Sequence, residues 1–390
     1  MHLYVHVPFC ARRCSYCDFA IAVRRDVPSA RYVDAVLAEW QALGRSGAAA
    51  LNSPIETLYF GGGTPSHLDP EELARLIDGL RGPMPEARGL TELTLEANPD
   101  DVTPERAAAW VEAGVDRISL GVQSFDPAVL TWMHRVHTSE QAREALKALR
   151  DAGIQNISID LIYALPRELT RDWSRDLDQA LALEPEHLSL YGLTVEPHTP
   201  LGKWVASEKS HTAPDERYAD EFLLAHERLG AAGFEHYEVS NYARPGKRAI
   251  HNSAYWQRRP FLGLGPSAHS GVADQRWWNT REFAAWLERA EALGRSGAGD
   301  LPTTVEGSEV LDAERIRLED LYLGLRTSEG LAESMLPAGT AAQWVEQGWA
   351  TTSPPDPLSL TGEGECATES RVRLTAEGWL RLDALVGQVA

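Results

Sequence analysis

Short apolar runs and amphipathic stretches alternate along the first 232 residues, and each pair repeats after about thirty residues. The apolar runs have the length of buried strands, whereas the stretches between them place apolar residues at helical spacing. One such stretch runs from Ser29 to about Leu43. Its apolar face consists of Val33, Val36, Leu37 and Trp40. The pattern therefore predicts a domain built from repeated strand–helix units.

Six strand–helix units are predicted in this part of the chain. The strands are His2–Phe9, Thr57–Phe60, Leu93–Glu96, Arg117–Val122, Ile157–Ile162 and His187–Tyr191. The helices begin near Ser29, Asp69, Thr103, Ser139 and Pro214. Repeated units of this kind form a parallel sheet, so the predicted fold class is α/β, a partial (βα)6 TIM-like barrel.

From about residue 300 the pattern changes to helices with one short strand. The predicted elements are helices over Asp312–Leu325 and Ala341–Gln347, a strand over Arg371–Leu374 and a final helix capped by Thr375. The intervening Thr351–Ser370 is rich in Pro, Gly, Ser and Thr, which predicts a mobile loop that holds Cys366 as a free thiol. We expect a barrel over 1–232, a barrel-completing or linking segment over 233–300, and a small α+β, winged-helix-like domain over 301–390.

The amino-acid composition of the chain limits which kinds of partner it can bind. The chain has 57 acidic and 37 basic residues and a net charge of −20, which argues against a general nucleic-acid surface. A hydrophobic fraction of 43% allows a large core, yet no apolar run approaches the length that crosses a bilayer. Because no targeting segment is visible, the sequence predicts a cytoplasmic protein.

Three cysteines, Cys10, Cys14 and Cys17, follow the first strand in a Cys-x3-Cys-x2-Cys arrangement. Thiolates are the usual protein ligands of iron–sulfur clusters. Three of them on one loop can hold three irons of a cubane cluster and leave the fourth iron open to a small molecule. The spacing therefore favours a cluster with an open coordination position.

Two alternatives remain open on spacing alone. The cysteines could hold zinc, with His2 or His6 as a fourth ligand, or they could be inert core thiols. Arg12 and Arg13 favour reactive over inert thiols, because positive charge lowers thiol pKa values.

Further candidates fall at or just past the predicted strand ends, where parallel sheets bind their ligands. They are Gly61–Gly63 followed by Thr64 and Pro65, together with Glu96, Gln123 and Asp160. The glycines allow the close approach of a ligand or of a second backbone, and the segment lacks the lysine of a phosphate-binding loop. A carboxylate such as Glu96 could instead cap a helix or pair with a cation. The edge that these residues share with the cysteines predicts one site.

The segment His251–Trp256 combines a histidine with the aromatic residues Tyr255 and Trp256, shortly before the glycine-rich Gly263–His269. Histidine can ligate haem iron, and aromatic faces can pack on a porphyrin. Without other information, the residues favour the plainer alternative of a buried histidine beside core aromatics.

Taken together, the motifs resemble the radical S-adenosylmethionine (SAM) proteins of the oxygen-independent coproporphyrinogen III oxidase group. The matching segments are Tyr4–Cys10 with Cys14 and Cys17, Gly62–Pro65, Glu96, Gly121–Phe125 and Ile159–Tyr163. The resemblance covers nearly the whole chain, and it removes the zinc and inert-thiol alternatives.

Two details are similar to the haem-chaperone branch of that group, the HemW proteins. The true oxidases have a long N-terminal extension and a further cysteine where this chain has Phe19. The chaperone branch has the Cys-Asp-Phe continuation present at Cys17–Phe19 and the His-Asn-x-x-Tyr-Trp motif present at His251–Trp256. The resemblance thus implies a protein that binds haem and passes it to haem-requiring proteins.

By this resemblance, Cys10, Cys14 and Cys17 would ligate a [4Fe–4S] cluster, and SAM would chelate its fourth iron. The positions that contact SAM in the oxidase branch are Tyr4, Tyr16, Gly62, Gly63, Thr64, Glu96, Gln123, Arg135, Asp160 and Thr194, several of which hold a second SAM there. Haem contact is expected from His251, with Tyr255 and Trp256 packing nearby. No residue is predicted to be catalytic.

The resemblance implies a haem carrier as the leading function. Its partners would be haem and haem-accepting proteins, membrane-bound respiratory enzymes among them, and a homodimer is expected. The main alternative is a radical SAM oxidase that decarboxylates a porphyrinogen propionate. Radical modification of RNA is a remote third, because the net charge is −20 and no RNA-binding appendage is recognisable.

Overall fold

The computed structural model describes residues 1–46, 53–81, 90–293, 303–353 and 369–389. The strands are β1 His2–Val7, β2 Phe9–Cys10, β3 Ala22–Val23, β4 Thr57–Gly62, β5 Glu92–Ala97, β6 Arg117–Gln123, β7 Asn156–Tyr163, β8 His187–Gly192, β9 Glu235–Glu238, β10 Asn241–Ala243, β11 Phe261–Leu264, β12 His269–Val272, β13 Gln275–Asn279, β14 Val305–Val310, β15 Leu331–Ala332, β16 Ala350–Ser353 and β17 Arg371–Leu374. The helices are α1 Ser29–Ser46, α2 Pro70–Arg81, α3 Pro104–Glu112, α4 Pro127–Trp132, α5 Ser139–Asp151, α6 Trp173–Ala182, α7 Pro200–Ala206, α8 Asp215–Ala231, α9 Ile250–Trp256, α10 Phe283–Leu293, α11 Ala313–Arg326, α12 Thr340–Glu346, α13 Ala376–Trp379 and α14 Leu382–Val389.

Twelve strands form one sheet in the order β14-β13-β12-β11-β1-β4-β5-β6-β7-β8-β10-β9. The six strands predicted from the sequence, β1 and β4 to β8, run parallel to one another, and β11 joins them in parallel beside β1. The strands at both edges pair antiparallel. Helices connect the parallel strands, so the predicted α/β class with a partial TIM-like barrel is confirmed.

The central strand β1 shows how the sheet separates core from site. Leu3, Val5 and Val7 are fully buried in the hydrophobic core, which also takes in the apolar face of α1. Successive side chains of a strand point to opposite faces, so Tyr4 and His6 lie on the other side. There the Tyr4 ring stacks on that of Tyr59 in the neighbouring strand β4, with 6.0 Å between centroids. The second face of β1 thus contributes polar and aromatic groups to the barrel interior.

Several predicted helix starts and ends can be compared with the structure. Thr103 and Asp312 accept hydrogen bonds from the first turns of α3 and α11, as capping residues do. Ser29 does not cap α1: it is the first helical residue, and its hydroxyl accepts a hydrogen bond from the Asp69 amide at 3.1 Å. The helix that Thr375 caps ends at Trp379, and α14 follows separately, so the single final helix predicted there is wrong.

The C-terminal residues form a small α+β unit. The three-stranded antiparallel sheet β15-β17-β16 packs with α11 to α14 around buried residues such as Trp344, Val372 and Leu385. Cys366 and most of the predicted loop lie outside the described residues. Strand β14 continues the large sheet past residue 300, and the predicted domain limits stay a prediction. Of the helices described, none is both long enough and apolar enough to cross a membrane.

Candidate functional site

A cavity of about 590 Å³ opens at the carboxyl ends of the parallel strands β4 to β8. Its size is typical of small-molecule sites, and strand ends of this kind are where such barrels bind their ligands. It brings together twelve of the residues predicted from the sequence: Cys10, Cys14, Tyr16, Cys17, Gly62, Gly63, Thr64, Glu96, Gln123, Arg135, Asp160 and Thr194. The expectation that the strand ends and the cysteine loop share one edge is therefore met.

The cysteine loop follows β2 and lines one wall of this cavity. Two of its sulfurs accept hydrogen bonds: the Thr64 hydroxyl donates to Cys10 Sγ at 3.5 Å, and Arg135 Nη1 donates to Cys14 Sγ at 3.8 Å. Hydrogen bonds to sulfur are a common way in which proteins support and tune iron–sulfur clusters. Three thiols on one cavity wall, with donors behind two of them, fit a cubane cluster.

Burial raises the pKa of the Cys10 thiol to about 11 and also raises the pKa of Cys17. The expected lowering of thiol pKa values is thus wrong for Cys10 and Cys17. Arg13 does lower the pKa of Cys17, but the desolvation of the thiol outweighs the charge of this exposed arginine. Without metal these two thiols are protonated near neutral pH. A bound cation would have to supply the charge that deprotonates them.

The histidines proposed as zinc ligands are engaged elsewhere. His6 contacts the Tyr4 hydroxyl through Nδ1 at 3.1 Å and the Ala20 carbonyl through Nε2 at 2.9 Å. His2 bonds Thr57 at the start of β4, at the opposite end of β1 from the cysteines. Across the described part of the chain, no three His, Cys, Asp or Glu side chains are placed to hold one metal ion together.

The glycines at the end of β4 are needed for close packing inside the protein. Gly62 has a φ of +111°, and a Cβ there would lie 2.6 Å from the His6 ring. A Cβ on Gly63 would lie 2.7 Å from the backbone of Pro8. Of the two roles predicted for these glycines, the structure therefore shows the approach of a second backbone, the one that leads into the cysteine loop.

Two half-buried carboxyl groups, Glu96 and Asp160, line the same cavity as the thiols. Glu96 accepts hydrogen bonds from the Tyr59 hydroxyl at 2.8 Å and from the Gly62 amide at 3.1 Å, and burial raises its pKa to about 7. Asp160 accepts from the Ser119 hydroxyl at 3.0 Å, and burial raises its pKa as well. Asp160 lies inside β7, yet its side chain reaches the cavity. Carboxyl groups kept from water in this way interact strongly with an incoming ammonium or hydroxyl group.

Arg135 connects the thiols to the strand ends. Its Nη2 donates to Asn98 Oδ1 at 2.6 Å and to the Gly121 carbonyl at 2.7 Å. Gln123, the last residue of β6, has a φ of +68°, a conformation that residues other than glycine seldom adopt. Backbone outliers of this kind concentrate at functional sites. The strained strand end and the buried guanidinium therefore mark the same part of the cavity.

Comparison with known proteins identifies the family. The model of the radical SAM superfamily matches residues 4–180. The chain is 38% identical to the haem chaperone HemW of Mycobacterium tuberculosis, over 95% of this chain and 93% of that protein. It is 36% identical to the HemW of Synechocystis, over 86% of this chain and 80% of the relative. The chain belongs to the HemW family of radical SAM proteins.

The HemW fold is similar to that of a solved enzyme structure. Coproporphyrinogen III oxidase (HemN) from Escherichia coli superposes with a TM-score of 0.74 and 21% identity, over 99% of this chain and 88% of that one. At this identity the likeness concerns the fold alone. Membership of the radical SAM superfamily implies a [4Fe–4S] cluster and SAM as cofactors, and the cavity has the thiols, donors and carboxyl groups that fit them.

The motif that characterises the HemW branch lies apart from the cysteine cavity. His251 is 1% exposed, and its ring nitrogens contact the Thr57 hydroxyl at 2.7 Å and the Tyr255 hydroxyl at 2.9 Å. Burial lowers its pKa to about 3. These contacts match the alternative considered for His251, a buried histidine beside core aromatics. Haem contact by His251 stays a prediction, and it would require both hydrogen bonds to break. Tyr255 lines a second cavity together with Tyr4, whereas Trp256 lines a separate pocket beside α11.

Some functional positions were not predicted from the sequence. Asn98 orients Arg135 and donates to the Thr64 hydroxyl at 3.4 Å, and its place two residues after Glu96 could have indicated it. The Tyr59 hydroxyl donates a hydrogen bond to Glu96, because the register between β4 and β5 brings the two side chains together. His137, two residues after Arg135, is buried and bonds the Val122 carbonyl.

Proposed function

We propose that this chain is a haem carrier: it holds a [4Fe–4S] cluster and SAM in the cysteine cavity, binds haem, and delivers haem to haem-requiring proteins. The observation that carries the proposal is the likeness to the HemW proteins over most of their length. The cavity supports it, because its three thiols and two half-buried carboxyl groups provide the groups that the cofactors of this superfamily require.

In this proposal Cys10, Cys14 and Cys17 hold the cluster. When bound, the cluster and SAM supply the redox chemistry of the superfamily. The chain orients them: Thr64 and Arg135 donate to cysteine sulfurs, and Glu96 offers a carboxylate to the amino group or the ribose of SAM. The other lining residues predicted for SAM are Tyr16, Gly62, Gly63, Gln123, Asp160 and Thr194. Tyr4, which lines the adjoining cavity, is the remaining predicted contact.

Haem itself, its acceptors and the assembly are part of the same proposal. Of the three residues predicted for haem, Tyr255 has the best structural support, because it lines a cavity that adjoins the cysteine loop. Delivery to membrane-bound respiratory enzymes, a homodimer and a cytoplasmic location stay predictions. The oxidase alternative has no specific support, since the likeness to the solved oxidase extends to the fold only.

A paired anaerobic experiment tests the proposal. After cluster reconstitution, one sample receives haem, and another receives coproporphyrinogen III with SAM and a reductant. We expect stable haem binding in the first, transfer of that haem to an apo-haemoprotein added later, and no protoporphyrinogen in the second. Protoporphyrinogen formation without haem retention would contradict the carrier function and make the chain an oxidase.

A further inference from the structure

A second cavity adjoins the cysteine cavity and shares part of its wall. It encloses about 470 Å³, and Asp18, Phe19, Gly62 and Glu96 line both cavities. Its other walls include Phe261 of β11 and His269 of β12, neither of which is needed for the cluster or for SAM. A ligand in this second cavity would therefore touch the end of the cysteine loop and would share the wall formed by Gly62 and Glu96 with bound SAM.

His269 brings an unengaged imidazole to this cavity. It is exposed, and a tight turn places it, since Gly265 and Ser267 both have positive φ, +93° and +61°. Trp278, its partner on β13, stacks against one face of the ring, with 6.0 Å between centroids. Within the described residues no hydrogen bond occupies either ring nitrogen of His269. Packing thus holds the ring while both nitrogens stay available, which is what an iron ligand requires.

The same cavity has a cation and aromatic walls. Arg281 is 64% exposed, and its Nη2 donates to the Asp18 carbonyl at 2.8 Å and lies 3.7 Å from the Asp18 carboxylate, which places the guanidinium beside the cysteine loop. A propionate would take the place of that carboxylate. Guanidinium groups recognise carboxylates in a bidentate manner. Phe19 is 63% exposed, and Tyr255 meets Phe261 edge to face at 4.6 Å. An imidazole, a cation and aromatic faces match an iron porphyrin that carries propionates.

We propose that haem binds in this second cavity with His269 as its iron ligand and Arg281 as the partner of a propionate. This inference rests on the proposed function as a haem carrier. It also explains how the His-Asn-x-x-Tyr-Trp motif contributes, because His251 bonds the Tyr255 hydroxyl and Tyr255 forms a wall of the cavity. His251 is then a positioning residue that acts through Tyr255, and haem lies next to the cysteine loop.

Two other histidines lie near enough to be considered as iron ligands. His6 lines the same cavity, but its ring nitrogens already contact the Tyr4 hydroxyl and the Ala20 carbonyl. His134 lines the cysteine cavity, and its only ring contact in the described part of the chain is with Trp204, at 5.9 Å between centroids. It lies beside Arg135, on the side of the cavity that the cofactors require. His269 instead faces the cavity that holds the exposed cation and aromatic groups, and this location decides between them.

The test uses the full chain with its cluster reconstituted and oxidised, so that electron paramagnetic resonance reports the ferric haem. Haem is titrated into the wild type and into His269→Ala, His251→Gln, His134→Ala and His198→Ala. His198 is an exposed histidine ahead of α7 and serves as the matched control. We expect His269→Ala to lose the histidine-ligated haem spectrum and to bind haem at least about tenfold more weakly. His251→Gln should keep that spectrum with a smaller loss of affinity, and the other two variants should match the wild type.

A cavity variant, His269→Gly, shows whether a loss of haem binding comes from the missing iron ligand or from misfolding. Added imidazole should restore the ligated haem spectrum in this variant, and iron and sulfide content should equal that of the wild type. An unchanged spectrum and affinity in His269→Ala, a loss of ligation in His134→Ala instead, or no rescue by imidazole would each overturn the assignment of His269. If the wild type itself fails to retain haem, the proposed function fails, and the two failures are thereby distinguished.

Discussion

The two ends of the barrel use similar residues in opposite ways. At the amino ends of the strands, Thr57 bonds both His2 and His251, at 2.8 and 2.7 Å, and Glu92 accepts from the first amides of α9. At the carboxyl ends, the three thiols stand on a cavity wall, and Gln123 has a positive φ. At the amino end these buried groups bond one another inside the protein, whereas the carboxyl end leaves reactive groups facing a cavity.

This difference indicates which end serves stability and which serves function. Barrel enzymes concentrate chemistry at the carboxyl face and stabilising contacts at the amino face. A histidine at the amino face, such as His251, is therefore first an internal hydrogen-bonding group. Desolvation raises the pKa of Glu96 to about 7, so keeping this carboxyl group inside the protein costs stability. An end of the barrel that binds cofactors can retain such a destabilising group. Four substitutions test this contrast, from the largest expected effect to the smallest.

The largest effect is expected at the cysteine loop. Cys14→Ala removes one of three cluster ligands together with the sulfur that Arg135 contacts, so iron bound after anaerobic reconstitution should fall to nearly none. Iron and sulfide analysis measures this directly. Cys366→Ala is the matched control and should retain full iron, because its thiol is predicted to be free. Full iron in Cys14→Ala would remove this end of the barrel from the cluster site.

A substitution at the amino end should affect stability and leave the iron unchanged. Glu92 is 2% exposed, accepts from the Ile250 and His251 amides, and has the largest favourable electrostatic effect on buried Arg117. Removing it in Glu92→Ala should lower the free energy of unfolding by about 3 kcal/mol. Urea unfolding measures the loss, and Glu92→Gln, which keeps an acceptor oxygen, should lose less. Reduced iron per folded chain in Glu92→Ala would show that the two ends are coupled.

A comparison of two glutamates with similar pKa values distinguishes the effect of burial on stability from a role in ligand binding. Burial raises the pKa of both Glu96 and Glu39 from 4.5 to about 7, but only Glu96 lines the cavity. Each folded carboxyl group holds its proton more tightly than the unfolded one, so stability is lost as pH rises from about 4.5 to about 7. Each group accounts for about 3 kcal/mol of this loss. Glu96→Gln and Glu39→Gln should both flatten that dependence in urea unfolding at a series of pH values.

SAM binding should distinguish the same two variants. A charge-assisted hydrogen bond contributes roughly 1.5–3 kcal/mol, so Glu96→Gln should weaken SAM binding by about tenfold or more. Glu39→Gln should leave it unchanged, because Glu39 bonds the Gly265 amide and Asn279 away from the cavity. Isothermal titration of the reconstituted protein measures both affinities. Equal affinities in the two variants would remove Glu96 from the SAM site.

The sequence could predict the barrel and most of one cavity, because parallel strand ends converge on one edge whatever the details of packing. For this reason Cys10, Glu96 and Gln123, which were predicted to share one edge, line the same cavity in the structure. It could not predict that the space beside Gly62 is filled by His6, or that His251 uses both ring nitrogens inside the core. These depend on contacts between residues far apart in the chain. His269 was similarly hidden, because a single histidine after a glycine-rich turn has no periodic pattern.

The smallest effect is expected at Phe19, where the resemblance places a further cysteine in the true oxidases. Phe19 is 63% exposed, so Phe19→Cys should change the free energy of unfolding by no more than about 0.5 kcal/mol. Iron content should also stay the same, because in the proposed site the three native cysteines hold the cluster and SAM completes it. Phe19→Ser, of equal size but without a thiol, is the matched control. The decisive measurement is the change that SAM induces in the electron paramagnetic resonance spectrum of the reduced cluster. If Phe19→Cys lost that change while Phe19→Ser kept it, the new thiolate would have taken the open iron, and position 19 would lie within reach of the cluster.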